Sequence, residues 1–193
     1  QQTENFAPQI VHLYNFISVN TLVVPFAFQV DQLSVLFMLI ITGIGFLIHI
    51  YSMGYMSHDK GFAKYFAYLN LFIFSMLLLV MGSNYIIMFI GWEGVGLCSY
   101  LLIGFWYHKN DFSSAAKKAF VMNRIGDLGF LVGLFLIYAK VGTFDFLALE
   151  GLFFSGSVGD LPYLSAIAIC FFIGATGKSA QIPLFTWLPD AMA

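Results

Sequence analysis

Three successive apolar stretches of the chain each hold an ionisable residue: Glu93, Asp127 and Lys178. A charge near the centre of a bilayer costs about 2.5–3.5 kcal/mol on insertion scales. Two carboxylates and an amine kept at that depth on consecutive segments suggest a path for protons or cations through the membrane. Glu93 lies among Gly91, Gly94 and Gly96, which let a second helix backbone approach and give the carboxylate protein in place of lipid. Arg124 and Asn123 precede Asp127 by three and four residues, so the three share a helix face. An Arg124–Asp127 pair can serve conduction, or it can simply neutralise itself for insertion. Lys178 follows Gly174 and Gly177, which are expected to loosen the same turn of helix, and precedes Pro183. Proline lacks an amide hydrogen and clashes with the carbonyl four residues back, here that of Ser179, so the helix is expected to break near it. A break at membrane depth is tolerated only where protein or water covers the freed backbone groups, and such breaks mark ion or substrate sites in transporters. Desolvation favours a neutral amine, so a lysine there can release its proton. His49, near the inner end of the first apolar stretch, is a candidate relay, or else a packing residue.

These residues need spanning helices to hold them, and the composition supplies them. The chain is 60% hydrophobic and 9% charged, where a soluble domain carries about 25% charge. With a net charge of −2 and no basic patch, nucleic-acid binding is excluded. Cys98 and Cys170 form neither a CxxC nor a Cys/His cluster, so no zinc or iron–sulfur site is expected and both read as packing residues. The string GATGKS lacks the spacing of a phosphate loop and sits inside an apolar run, which rejects nucleotide binding.

Five stretches can cross about 30 Å of hydrocarbon at about 1.5 Å per residue: 32–55, 65–82, 84–107, 117–139 and 162–188, the last broken near Pro183. The expected fold class is therefore an all-α, polytopic transmembrane helical bundle over 31–193, preceded by an outward-facing segment, 1–30. Asp31 is placed to cap the first span. Lys60, Lys64, Lys109, Lys117 and Lys118 fall in the loops after spans one and three, against Lys140 alone on the other side. This positive-inside bias puts residue 1 outside and runs span five inward. The chain starts without Met, has no cleavable signal pattern and ends in mid-motif, so it is expected to be part of a longer protein.

Five strings carry a family resemblance: FLIHIYSMGYM, YFAYLNLFIFSM, FIGWEGVGLCSYLLIGFWY, KAFVMNRIGDLGF and GKSAQIPLFTWLPDAMA. Over residues 31–193 the chain resembles the antiporter-like membrane subunits of respiratory complex I, the proton-pumping NADH:quinone oxidoreductase. The long WEGVGLCSYLLIGF string favours the largest, distal subunit. The resemblance implies that the spans are the third to seventh helices of that subunit, with the remaining helices outside this chain. It implies that Glu93 pairs with Lys178 as an electrostatic proton switch, with Asp127 and Arg124 also in the translocation path. NADH, FMN, iron–sulfur clusters and quinone would bind other subunits, and no cofactor this chain. The implied partners are the neighbouring antiporter-like subunit, the other membrane subunits, the lipid bilayer and the ion, H⁺ or Na⁺. The expected location is a bacterial plasma membrane, with the mitochondrial inner membrane as the alternative. Rival readings are a subunit of a multi-subunit Na⁺/H⁺ antiporter, or a homologous subunit of a membrane-bound hydrogenase or photosynthetic complex. A scaffold whose buried charges only fix helix register is a third.

Overall fold

The structure, a computed structural model, describes residues 7–20, 22–156 and 161–192. Its elements are β1 (Gln9–Val19), β2 (Leu22–Val30), α1 (Gln32–Tyr55), α2 (Phe62–Met81), α3 (Tyr85–Ile103), α4 (Asn110–Val141), α5 (Phe146–Phe154), α6 (Leu161–Lys178) and α7 (Trp187–Ala191). The helical, polytopic class expected from the sequence is what the structure has. Four helices, α1 to α4, are long and apolar enough to cross a membrane, and the apolar stretch of α6, Tyr163–Lys178, is shorter. The chain divides into two compact units, Gln1–Val95 and Gly96–Ala193, with the division inside α3.

In the first unit, the segment before α1 forms an antiparallel hairpin in which Val19 pairs with Leu22 and Gln9 with Val30. The sequence reading contained no strand there. The hairpin is held by the α2–α3 turn: Ser83 N donates to the Ala27 carbonyl at 3.1 Å, and Asn84 Nδ2 to the Pro25 carbonyl at 2.9 Å. The same Asn84 accepts from the backbone amides of Ile86 and Ile87 through Oδ1, at 3.1 and 3.0 Å, so it caps α3 while tying it to the hairpin. Along α3, Gly91 lies against the backbone of Leu79 and Gly94 against the Ser75 side chain of α2. Most of α1 is exposed, with Ser34, Gly45 and Ser52 its buried residues.

In the second unit α4 begins at Asn110, earlier than the expected 117, because its opening turns carry the exposed Asp111, Lys117 and Lys118, which a hydropathy reading trims away. It ends at Gly142, whose φ of 78° suits a residue without a Cβ, and whose amide donates to the Tyr138 carbonyl at 2.9 Å. The buried residues of α4 recur every three or four positions, from Ala119 and Asn123 through Asp127 and Phe130 to Leu134 and Ile137, and form one face. A short helix, α5, lies between α4 and α6, in the stretch between the fourth and fifth expected spans.

Asp31 caps α1 as expected. Its carboxylate accepts from Ser34 N at 2.7 Å and from Gln29 Nε2 at 2.9 Å, while Ser34 Oγ accepts from Asp31 N at 2.8 Å. The Ser34 amide is the main reason its pKa lies below the ordinary 3.8, against the opposing effect of burial. A carboxylate shifted in that direction stabilises the fold above the unfolded value, and the gain is lost as pH falls through the lower folded value. Asp31→Ala is expected to cost about 1 kcal/mol at neutral pH and Asp31→Asn, which keeps an acceptor, only part of that. Thermal unfolding of the parent protein in detergent checks this, and the gap between wild type and Asp31→Ala should narrow in acid.

Candidate functional site

The second unit is built around a seam of small residues between antiparallel α4 and α6. A Cβ placed on Gly126 would lie 3.0 Å from the Gly177 Cα and 3.2 Å from the Gly174 carbonyl oxygen. One placed on Gly177 would lie 3.2 Å from the Gly126 Cα. Two turns along, Gly133 faces Phe171 and Cys170, and Gly129 faces Ile173 and the Cys170 carbonyl. Helices without side chains at the contact approach backbone to backbone, which suits a setting in which lipid offers no hydrophobic drive to association. Gly174 and Gly177, expected to loosen the helix, lie in its regular part and are buried in this seam.

The seam sets the ionisable groups. Asp127, next to Gly126, has a side chain 3% exposed, and Lys178, next to Gly177, one that is 18% exposed. Lys178 Nζ lies 3.8 Å from Asp127 Oδ2, and Arg124 Nη1 lies 3.9 Å from the same oxygen. One carboxylate oxygen therefore sits between two cations on different helices. Arg124 is more exposed and also lies over the Phe120 ring, 4.7 Å from its centroid. The Arg124–Asp127 pairing anticipated from spacing is present, and Lys178 joins it.

Lys178 is the last residue of α6, so the helix stops before Pro183 is reached. Residues 179–186 leave the helical path, with Ala180 at φ 50° and a cis Ile182–Pro183 peptide, before α7 starts at Trp187. The expected span 162–188 is thus a helix, an irregular turn and a second short helix. The freed carbonyls find partners: Ser179 N donates to Ala175 at 2.9 Å, Gln181 N to Thr176 at 3.0 Å, and the Trp187 indole Nε1 to Gly177 at 3.0 Å. A cation at a helix C-terminus is also favoured by the helix dipole. Beyond the break, Asp190 of α7 meets Lys118 of α4 at 2.7 Å, both side chains being largely exposed. This pair, Trp187 and Gly126 were not singled out from the sequence. The Gly-x-x-Gly spacings of α4 and α6 were its available signal for a close crossing.

Gly96 is buried in the same unit, and a Cβ built on it would meet the Lys178 ammonium. Glu93 belongs to the first unit, half-buried on α3 one turn before Gly96. His49 is on α1, its Nδ1 on the Gly45 carbonyl of its own helix at 2.7 Å and its ring 5.8 Å from that of Phe66. Among the described residues no group of three or more His, Cys, Asp or Glu is placed to hold a metal ion.

Residues 82–193 match the family described as "NADH:quinone oxidoreductase/Mrp antiporter, TM", and residues 16–66 match "NADH-Ubiquinone oxidoreductase (complex I), chain 5 N-terminus". The chain belongs to this family of antiporter-like membrane proteins. It is 52% identical over 180 residues, 93% of its length, to NADH-quinone oxidoreductase subunit L of Mycobacterium tuberculosis. It is 52% identical over 170 residues, 88% of its length, to the subunit of the same name from Campylobacter jejuni. It spans only 28% of the length of either relative. Among solved structures, a chain of the Mrp complex from Dietzia sp. DQ12-45-1b superposes with a TM-score of 0.74 at 30% identity, over 88% of this chain and 18% of that one.

The seam makes two substitutions informative in the parent protein. Gly126→Ala drives a methyl group against backbone, so the helices must part at a cost of about 1–3 kcal/mol. A lower thermal midpoint, with less assembled protein in the membrane, is the expected result. Gly96→Ala meets only the end of a flexible side chain, so the thermal midpoint and the amount assembled should change little. Thermal unfolding in detergent beside an immunoblot of membranes separates the two.

Proposed function

We propose that this chain is part of the proton-translocating membrane subunit of an NADH:quinone oxidoreductase. In this reading Glu93 and Lys178 form an electrostatic switch and Asp127 is the second carboxylate on the lysine. The observation that carries it is the lysine at the end of a broken helix, 3.8 Å from a buried carboxylate on the neighbouring helix. At an effective dielectric near 20, one charge pair about 4 Å apart is worth roughly 4 kcal/mol. That is enough to decide whether an ammonium held out of water keeps its proton. With a carboxylate close the lysine stays charged, and when the carboxylate is neutralised or withdrawn the proton leaves. Arg124 competes for the same Asp127 oxygen, so it regulates how much of that charge Lys178 feels. Support for Glu93 as the other partner comes from α3, which carries Gly96 against the ammonium and Glu93 one turn earlier.

The chemistry of electron transfer belongs to other subunits in this proposal, where NADH, FMN, iron–sulfur clusters and quinone bind. The partners are the neighbouring antiporter-like subunit and the remaining membrane subunits. The membrane is a bacterial plasma membrane, with residue 1 outside, or else the mitochondrial inner membrane. A second reading, a subunit of a multi-subunit Na⁺/H⁺ antiporter, is favoured by the likeness to the Mrp complex.

The test uses the full-length parent in its native complex. Glu93→Gln and Lys178→Met are each expected to cut NADH-driven acidification of sealed vesicles by about tenfold or more, since 1.4 kcal/mol is already tenfold in rate. Assembly should be normal. Unchanged acidification in both variants overturns the site. A wild-type complex that exchanges Na⁺ for H⁺ without any NADH-linked activity selects the antiporter reading.

A further inference from the structure

In the first unit two buried polar atoms have no hydrogen-bond partner among the described residues: Gln29 Oε1 of β2 and Ser83 Oγ of the α2–α3 turn. Ser83 is 3% exposed. The Gln29 amide has a fixed orientation, because its Nε2 donates to Asp31 Oδ2 at 2.9 Å and a carboxylate only accepts. Oε1 is therefore the end left over, an acceptor. The backbone brings both atoms to one face. Phe28 and Gly82 form an antiparallel bridge, which sets Ser83 opposite Ala27, and Ser83 N donates to the Ala27 carbonyl at 3.1 Å. Side chains alternate along a strand, so Gln29 stands on the same side of β2 as Ala27 and, across the bridge, as Ser83. Gln29 and Ser83 are thus diagonal neighbours, about 7–8 Å apart at the backbone, within reach of a long side chain. Buried polar atoms are satisfied by protein or by ordered water, and a buried water needs at least two polar partners.

We infer that β2 and the α2–α3 turn enclose a binding site for one water molecule, which donates to Gln29 Oε1 and accepts from the Ser83 hydroxyl. The amide oxygen can only accept and the hydroxyl can donate, so one water satisfies both. A metal ion fits less well. Hard cations take about six or more oxygen ligands, and the Asp31 carboxylate is already engaged by Ser34 N and Gln29 Nε2. The water completes a polar chain between two helix starts. Asp31 caps α1 and holds Gln29, and Ser83 adjoins Asn84, which caps α3 and donates to the Pro25 carbonyl. The hairpin thereby fixes the two caps against each other through side chains as well as backbone. No residue assigned to ion transport takes part, so the inference stands apart from that reading.

The experiment uses the parent complex and amide hydrogen exchange, which reads local opening of β2 and the turn. A water-mediated bond is nearly as good as a direct one, so Ser83→Ala should speed exchange of the β2 amides about fivefold. A dry site gives a different sign. Deleting a buried hydroxyl that bonds nothing leaves exchange unchanged or slows it, and that result overturns the inference. Gln29→Leu also loses the bond to Asp31, so it serves as the background of a double-mutant cycle. In that background Ser83→Ala should have little further effect, since the shared water is already gone. A second fivefold there shows that the two atoms act separately and overturns the site. A map at a resolution that shows waters is expected to place one density within hydrogen-bond distance of both atoms, and a direct Gln29–Ser83 bond in its place overturns the inference. Replacing Na⁺ and K⁺ by choline should leave wild-type exchange unaltered. Lost protection in wild type, without any in Ser83→Ala, identifies a metal ion as the occupant and overturns the water.

Discussion

The ion pair of the second unit depends on the close approach of α4 and α6 at Gly126 and Gly177. Where two backbones touch, the next residue on each helix is set within reach of its counterpart, and those residues are Asp127 and Lys178. A methyl group at either glycine would push the helices apart by a few tenths of an ångström and lengthen an ion pair that lies at 3.8 Å. Large side chains stand beside the contact and not in it: Phe130 packs on Gly174, and Phe171 and Ile173 face Gly133 and Gly129. Charges held out of water need partners at short range, and only a crossing without bulk allows an aspartate and a lysine from different helices to meet there.

The end of α6 is equally bound to this geometry. Helix termini leave carbonyls without partners, and in a membrane no solvent stands by to take them. The Trp187 indole on the Gly177 carbonyl and the Gln181 amide on the Thr176 carbonyl supply part of that need from the chain itself. A lysine at such an end sits in the negative field of the terminal carbonyls and beside a carboxylate, two attractions that act together on its charge.

Much of this was legible in the sequence, for identifiable reasons. Ionisable residues in apolar runs are expensive, so Glu93, Asp127 and Lys178 stand out from any reading of hydropathy, and Arg124 follows from helical spacing alone. Asp31 reads as a cap because it precedes an apolar run, whereas the part played by Ser34 appears only in the structure. Partnerships between distant segments were less legible. Asp127 and Lys178 are 51 positions apart, and only the packing of α4 on α6 reveals that they share an ion pair. The hairpin went unseen because β1 alternates poorly and most of its residues are exposed, so neither periodicity nor burial marked it. The break was tied to Pro183, since proline is the strongest sequence signal of a stop. The helix stops at Lys178, one residue before Ser179, whose carbonyl a helical Pro183 would meet, and the Gln181 amide turns back to the Thr176 carbonyl.

One consequence follows from the length of α4. Its 32 residues measure about 48 Å, against about 30 Å of hydrocarbon. A tilt takes up part of that mismatch, and the remaining turns must stand in the headgroups or in water. Lys118 and Asp190 are near that protruding end, where dissolved ions screen charges over about 8 Å at physiological ionic strength. Asp127 and Lys178 lie deeper and feel little of it. A single rigid helix thus carries two electrostatic regimes, one that follows the salt of its surroundings and one insulated from it, and it joins them mechanically.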